Sequence, residues 1–282
     1  MNEIELDAHA KINLSLDVIR KRPDGYHDVK MIMQSISLAD RVTVKRGADR
    51  IEIRANVNTI PLDERNIAFQ AWKLMKEKFH LPGGVSIHLH KEIPVEAGLA
   101  GGSTNAAAVL RAVNQIFDLG LTDLDLAKLG GGIGADVAFC VLGGTALAEG
   151  IGEILTPLLP LPRIWLVLVN PGFGVSTAEI YRRVQVEKIM RHPDTDALVH
   201  AVKKGKIAGI LTQMANVLEE VTIPMHPDIA EIKKVLCQAG LSPLMSGSGP
   251  TVFGLAPTQE HAVQAAQILK PRWKTVLVAH TI

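Results

Sequence analysis

The stretch that decides the fold is Pro94-Val-Glu-Ala-Gly-Leu-Ala-Gly-Gly-Ser-Thr-Asn-Ala-Ala-Ala-Val-Leu-Arg-Ala-Val-Asn-Gln-Ile-Phe117. Its glycines, Gly98, Gly101 and Gly102, allow a tight bend and a close approach to a bound group, because glycine has no Cβ. The residues after them predict a helix with one buried face, because apolar side chains recur at helical spacing: Ala106, Val109, Leu110, Val113 and Phe117.

The start of this helix is a predicted anion site. Ser103 or Thr104 is expected to cap the helix, and its first N–H groups and positive dipole end favour a bound phosphate. No Gly-Lys-Ser or Gly-Lys-Thr follows the glycines, so the loop is not a Walker A motif. Glycine content alone also allows an ordinary tight turn before a core helix.

A second segment, Ile4 to Val18, is apolar at every even position and polar at every odd one. This alternation predicts a long strand with one buried face. Lys11 and Asn13 then point the same way, about 6.5 Å apart along the strand. A plain solvated face is the alternative for these polar residues.

Composition limits the class of protein. The chain has 282 residues, is 47% hydrophobic and carries a formal net charge of +1, so it can build a full core. Nothing in that charge suggests nucleic acid or an anionic membrane as a partner. The two cysteines, Cys140 and Cys237, lack metal-ligand spacing, and a strand starting at residue 4 leaves no room for a leader peptide. We therefore expect a cytoplasmic protein.

Strands and helices alternate along the chain. Residues 41–45 and 51–54 are expected to form a hairpin. The proline-rich segment 156–162 predicts a domain junction, which gives domains at 1–155 and 163–282. Further helices are expected at about 66–79, 121–129, 195–204, 206–219 and 226–239, and strands at 85–90, 164–169, 251–255 and 274–280, with a helix between the last two.

Two further glycine-rich segments carry polar groups. Gly130-Gly-Gly-Ile-Gly-Ala-Asp136 matches a dinucleotide-binding pattern, but a helix precedes it where that pattern needs a strand. Its carboxylate stands between a flexible run and an apolar one. Met245-Ser-Gly-Ser-Gly-Pro-Thr-Val-Phe253 is a second glycine loop that enters a strand, and by itself it is more typical of a turn than of a site.

Together these segments resemble the motifs of the GHMP kinases, small-molecule kinases with a non-Walker phosphate loop. The matching stretches are Ala10-Lys-Ile-Asn-Leu14, the loop from Pro94, and Ser246-Gly-Ser-Gly-Pro-Thr-Val-Phe253. Three more stretches resemble members whose alcohol substrate carries a cytidine diphosphate: Arg22-Pro-Asp-Gly-Tyr-His27, Gly134-Ala-Asp-Val137 and Gly143-Gly-Thr-Ala-Leu-Ala-Glu-Gly-Ile-Gly-Glu153. Ala100 stands where many members have glycine.

The resemblance implies a two-domain α+β fold, in which the N-terminal domain is similar to ribosomal protein S5 domain 2 and the C-terminal domain is ferredoxin-like. It implies transfer of the γ-phosphoryl group of ATP, with Mg²⁺, to a hydroxyl of a small molecule in the non-mevalonate isoprenoid pathway. The partner is a small-molecule substrate, with no nucleic acid and no membrane, and the chain is expected to be a monomer or a homodimer.

Site residues carry over from the same resemblance. Lys11 and Asp136 are the implied catalytic residues, and Asp136 either accepts the proton of the attacking hydroxyl or orients that hydroxyl. Ser103 is a candidate to assist Mg²⁺. The implied substrate contacts are Asn13, Tyr26, His27 and Thr177, with both rings placed for cytosine. The implied ATP-binding residues are Pro94, Val95, Glu96, Ala97, Gly98, Leu99, Ala100, Gly101, Gly102, Ser103, Thr104 and, at the start of a helix, Asn66.

The amino-acid sequence leaves rival functions open. Homoserine and mevalonate kinases share the glycine loops, although neither substrate has a nucleobase to explain the Asp-Gly-Tyr-His turn. A non-catalytic nucleotide-binding module is a rival from another class. Retention of both Lys11 and Asp136 favours an enzyme over such a module.

Overall fold

Two long strands, β1 (Glu3–Lys21) and β2 (His27–Ala48), contribute to both of the units into which the chain divides. The computed structural model describes residues 2–282, except the side chain of Ala48. The first unit comprises Met1–Ala10, Leu38–Val95 and Ala100–Gly143; the second comprises Lys11–Ser37, Glu96–Leu99 and Gly144–Ile282.

In the first unit, β4 (Gly84–His90) lies between β2 and β3 (Glu52–Ala55). It is antiparallel to β2 and parallel to β3. The predicted hairpin between 41–45 and 51–54 is therefore wrong. The turn after β2 carries the chain past the edge of that strand, and β3 pairs with β4 on its far side.

Four helices complete the first unit: α1 (Ile67–Phe79), α2 (Gly101–Ile116), α3 (Asp123–Gly131) and α4 (Ala135–Leu142). The starts of two of them follow from the local sequence. Asn66 accepts the N–H of Ala68 as the cap of α1. Thr122 and Asp125 form a reciprocal capping box at α3, which satisfies two orphan N–H groups. The helices predicted at 66–79 and 121–129 are confirmed to within two residues.

The second unit contains a four-stranded sheet in the order β11 (Thr275–His280), β7 (Trp165–Asn170), β10 (Val252–Ala256) and β9 (Ser242–Met245). All neighbouring strands in it are antiparallel. In the same unit β5 (Thr145–Glu149) pairs with β2 and with β6 (Ile154–Pro157), while β8 (Ala215–Asn216) pairs with β1.

The helices of the second unit are α5 (Thr177–Arg183), α6 (Thr195–Lys203), α7 (Ile207–Gln213), α8 (Glu219–Met225), α9 (Asp228–Gln238) and α10 (Gln259–Leu269). The single helix predicted at 206–219 is wrong. It is interrupted by β8, where Asn216 uses its side chain to bind the backbone of another loop. Among the helices that the structure describes, none is long and apolar enough to span a membrane.

The burial of β1 differs from the prediction in its second half. Before Ala10 the even positions are more buried than the odd ones, as expected for one buried face. From Ala10 to Val18 both faces are buried, and this includes Lys11, Asn13 and Asp17. A solvated polar face is therefore excluded for Lys11 and Asn13, and their polar groups must be satisfied inside the protein.

Candidate active site

The glycine loop leads into α2 through backbone that non-glycine residues rarely adopt. Glu96 has φ 51°, and Ala100 has φ 59°, both in the left-handed region. Such conformations persist only where the surroundings impose them, and they cluster at ligand sites. Ala100 therefore occupies a backbone conformation that suits glycine better than a residue with a Cβ.

The cap of α2 differs from the prediction. The N-cap residue is Ala100, and no side chain in the described part of the chain makes a cap hydrogen bond there. Ser103 and Thr104 lie inside the helix, because the left-handed turn at Ala100 starts it earlier than expected. The hydroxyl of Thr104 donates instead to the carbonyl of His9, 2.8 Å away. The first turn of α2 therefore keeps backbone N–H groups that can donate hydrogen bonds to an anion.

Lys11 and Asn13 form a buried pair on β1. Lys11 is 4% exposed, and its Nζ donates to Asn13 Oδ1 at 2.8 Å. Asn13 Nδ2 in turn contacts the sulfur of Met31 on β2, 3.2 Å away. The backbone N–H of Lys11 donates to the carbonyl of Leu99. The structure thus joins one predicted catalytic residue, one predicted substrate residue and the phosphate loop within the second unit.

The second glycine loop packs directly on the first. Ser246 Oγ donates to the carbonyl of Gly98 at 2.9 Å, and a Cβ on Gly98 would lie 2.1 Å from the carbonyl oxygen of Ser246. A Cβ on Gly247 would lie 3.5 Å from Lys11 Nζ. Only glycine at position 98, with φ 75°, permits this approach.

Three side chains hold the second glycine loop in place. Asn216 Nδ2 donates to the carbonyls of Met245 and Gly247, both at 2.8 Å. The hydroxyls of Thr177 and Ser248 are hydrogen-bonded at 2.8 Å, so the predicted substrate residue Thr177 is joined to this loop. Thr222 binds the carbonyl of Ser248.

His27 occupies a buried position beside a second aromatic ring. It is 5% exposed, and its ring centroid lies 5.6 Å from that of Tyr181. Neither ring nitrogen has a hydrogen-bond partner among the side chains and backbone that the structure describes. Burial, and then the charge of Lys21, lowers the pKa of His27, so the ring stays neutral and offers one donor and one acceptor.

Tyr26 has a different environment from His27. Its side chain is 62% exposed, at the end of a turn in which its backbone N–H donates to Asp24. The two rings that sequence alone grouped therefore lie in different surroundings, because neighbouring residues of an extended chain point in opposite directions. The ring that His27 contacts belongs to Tyr181, four residues after Thr177 on the same face of α5.

Asp136 lies in the first turn of α4, in the first unit. The N-cap is Gly134, and the positive end of the helix dipole favours a carboxylate at this position. The packing of α3 on α4 is close, since a Cβ on Gly130 would lie 2.7 Å from a methyl carbon of Val137. At the other end of α4, Arg111 donates to the carbonyl of Val141. The helix that carries Asp136 is thus fixed at both ends.

Two other predicted residues have clear local roles. The amide of Asn66 caps α1 through Ala68 and donates to the carbonyl of Pro61 at 2.8 Å. Ser103 is half-buried in the first turn of α2. Within residues 2–282, no group of three or more His, Cys, Asp or Glu side chains is arranged to hold a metal ion.

Sequence reasoning missed several residues of this site. Tyr181 had a usable signal, its four-residue spacing from Thr177. Asn216 had none, because it lies far along the chain from the loop that it binds and inside a segment predicted to be helical. The buried polar cluster around Lys91, described below, also had no signal in the local sequence.

Comparison with protein families defines the class of the chain. Residues 66–144 match the model for the GHMP kinases N terminal domain, and residues 198–275 match the model for GHMP kinases C terminal. The first match includes α2 and, on α4, Asp136. The second match includes the second glycine loop. The mixed α+β fold with two GHMP domains is therefore confirmed.

Individual relatives narrow the class. A 4-diphosphocytidyl-2-C-methyl-D-erythritol kinase of Geobacillus kaustophilus (strain HTA426) is 54% identical over 255 residues, which cover 89% of this chain and 88% of that protein. One of Bacillus thuringiensis (strain Al Hakam) is 52% identical over 259 residues, covering 90% and 88%. The chain belongs to the 4-diphosphocytidyl-2-C-methyl-D-erythritol kinase family of the GHMP kinases.

Solved structures agree. A crystal structure of 4-(cytidine 5'-diphospho)-2C-methyl-D-erythritol kinase superposes with a TM-score of 0.84 at 36% identity, over 99% of both chains. A homoserine kinase from Cytophaga hutchinsonii superposes with a TM-score of 0.78 at 20% identity, over 100% of this chain and 95% of that one. The second likeness shows the shared fold alone.

Proposed function

We propose that this kinase transfers the γ-phosphoryl group of ATP to the 2-hydroxyl of 4-diphosphocytidyl-2-C-methyl-D-erythritol, in the non-mevalonate isoprenoid pathway. The observation that carries the proposal is the buried, neutral ring of His27, whose two nitrogens lack partners in the described chain and which lies against Tyr181. The edge of cytosine offers both donors and acceptors to such a ring. The names of these two relatives support the same substrate.

Spacing along β2 supports one extended substrate. His27 and Met31 are buried on the same face of β2, four residues apart, which is about 13 Å along a strand. Met31 contacts Asn13, the neighbour of Lys11. A ribose and a diphosphate can span that separation, with the base at His27 and the reacting hydroxyl near Asn13. The exposed ring of Tyr26 is a second proposed contact for the base.

The chemistry needs positioning and charge neutralisation more than covalent help from the protein. In this proposal the backbone of residues 94–104 binds the phosphates of ATP, with Asn66 near the nucleotide, and Lys11 neutralises charge on the transferred group. Asp136 accepts the proton of the attacking hydroxyl or orients that hydroxyl. Thr177 binds the substrate from α5.

Mg²⁺ is proposed to arrive with ATP. It prefers phosphate oxygens, water and a few hard protein ligands. The hydroxyl of Ser103 is a hard oxygen donor at the start of α2 and fits that mode. Ser103, half-buried in the first turn of α2, is the proposed protein ligand. The metal would neutralise phosphate charge during transfer.

Further proposals concern the domain bounds, the oligomeric state, the partners and the location of the protein. We propose functional domains at 1–155 and 163–282, a monomer or homodimer, no nucleic-acid partner and a cytoplasmic location. Each of the two family matches falls within one of these proposed domains.

The test is a turnover assay with three acceptors and ATP–Mg²⁺. 4-Diphosphocytidyl-2-C-methyl-D-erythritol should be phosphorylated, while homoserine and mevalonate should give no product. The Lys11→Ala variant is the control for contaminating kinases. Equal turnover of homoserine would refute the substrate assignment, and ATP binding without turnover of any acceptor would favour a non-catalytic module.

A further inference from the structure

A buried polar cluster lies beside the glycine loop in the first unit. Asp40 on β2 is 0% exposed, and the side chain of Lys91 is 5% exposed. Their charges form an ion pair. Asn105 on α2 joins both, because its Nδ2 donates to Asp40 Oδ2 and its Oδ1 accepts from Lys91 Nζ, each at 2.8 Å. The cluster therefore links a strand, the end of β4 and a helix.

Each end of the glycine loop is bound by this cluster. Where the loop begins, Asp40 Oδ1 accepts the backbone N–H groups of Glu92 and Ile93, both at 2.8 Å. Where the loop ends, Lys91 Nζ lies 3.4 Å from the carbonyl oxygen of Gly101, the first residue of α2. Three side chains thus fix the separation between the entry and the exit of the loop.

Stability alone gives little reason for such a cluster. The free-energy cost of desolvating two charges commonly exceeds the attraction between them in a buried ion pair. Apolar residues of similar volume often stabilise a protein as much or more. Burial lowers the pKa of the Lys91 ammonium, and the Asp40 carboxylate opposes that shift. The cluster makes many directional bonds to one backbone segment, which fixes a conformation in a way that apolar packing cannot.

The conformation that it fixes needs external support. Ala100 has φ 59°, an unfavourable value for a residue with a Cβ, and it immediately precedes Gly101. Strained backbone of this kind persists only where the neighbouring structure determines it. A Cβ on Gly101 would lie 3.3 Å from Lys91 Nζ, so the cluster and the backbone are in close contact at this point.

We propose that Asp40, Lys91 and Asn105 are positioning residues for ATP. They hold the two ends of the glycine loop so that its N–H groups face the phosphates before the nucleotide binds. The inference rests on the proposed role of residues 94–104 as the ATP loop. Without the cluster the loop samples other conformations, and nucleotide binding has to restore the correct one.

The test compares Lys91→Met, Asp40→Asn and the double variant. Binding of a non-hydrolysable ATP analogue with Mg²⁺ and of the cytidyl substrate is titrated calorimetrically, and amide hydrogen exchange is followed over residues 94–104. Lys91→Met should weaken the ATP analogue at least about tenfold. It should also speed exchange in this segment, while affinity for the cytidyl substrate stays unchanged.

The double variant separates positioning from stability. It removes both charges, so no ion is left buried without a partner, and the melting temperature should recover relative to either single variant. Affinity for the ATP analogue should not recover, because the contacts to Gly101 and Asn105 stay lost. Ile53→Ala, a core change on β3 in the same unit, is the control; it should lower the melting temperature without weakening either ligand.

Two results would overturn the proposal. Recovery of ATP affinity together with the melting temperature in the double variant would show that the cluster acts through stability alone. Unchanged affinity for the ATP analogue in Gly101→Val would refute the loop assignment itself, and the proposal would fall with it. The turnover assay on the unmodified chain tests the proposed function separately from both results.

Discussion

Replacing His27 with alanine tests the proposed cytosine site most directly. His27 is 5% exposed, and its ring centroid lies 5.6 Å from that of Tyr181. The substitution removes one aromatic face and two buried nitrogens that lack partners in the described chain. It leaves the glycine loops untouched, so a loss confined to the cytidyl substrate is expected.

The magnitude follows from those groups. Stacking of a base on an aromatic ring is worth about 1–3 kcal/mol by alanine substitution, and a hydrogen bond typically contributes about 0.5–1.5 kcal/mol net. Taking one of each toward the low end gives about 1.5–3 kcal/mol, or a 10- to 150-fold weaker complex. The free protein loses no hydrogen bond at the ring, so its melting temperature should fall only by the lost packing on Tyr181.

The assay is calorimetric titration of the cytidyl substrate and of a non-hydrolysable ATP analogue. His27→Phe keeps a ring but loses the nitrogens, and should show an intermediate loss. His280→Ala is a matched control in the same unit, because it removes a ring that contacts Trp165 at 4.9 Å. It should lower stability without weakening either ligand. Equal losses for both ligands in His27→Ala, with a lower melting temperature, would show that His27 is only a core residue.

The remaining predictions concern catalysis, the phosphate loop and pH. Asp136→Ala should fold normally and lose about 10²–10⁴-fold in kcat, the range of a positioned acid–base group; a variant that keeps half of the activity would refute the role. Lys11→Ala should lose most of kcat, and Lys11→Arg should restore little of it, because a planar guanidinium does not fit the space that holds a compact buried ammonium. Full activity in the arginine variant would show that charge alone suffices. Gly101→Val should raise the KM for ATP far more than that for the cytidyl substrate, because even its Cβ would lie 3.1 Å from a methyl carbon of Ile93; lower stability with an unchanged KM would mean that the glycine only shapes the fold. The pKa of His27 is lowered in the folded protein from its ordinary value of 6.5. As the pH falls below 6.5, the ring is therefore protonated in the unfolded chain before it is protonated in the folded one, and the free energy of unfolding should fall. Denaturant titrations should show this slope reduced in His27→Phe, and an unchanged slope would contradict it.

The local chemistry of the candidate site was largely predictable. Glycines followed by a helical apolar pattern placed α2 correctly, and the polar spacing on β1 brought Lys11 and Asn13 together. Ser103 and Thr104 were predicted as caps because their residue types favour that position. The left-handed turn at Ala100 overrode that preference and started the helix at Gly101.

The amino-acid sequence by itself determined the elements whose information is local: the alternation of β1, the caps at Asn66 and Thr122, and the order of the glycine motifs. Tertiary structure decided which distant segments meet. It paired β3 with β4 in place of β2, buried both faces of β1 from Ala10 to Val18, and set Tyr181 against His27. The physical reason is that side-chain periodicity records which face of a strand is apolar, whereas its pairing partner and the second layer that covers it are set by contacts far apart in the chain.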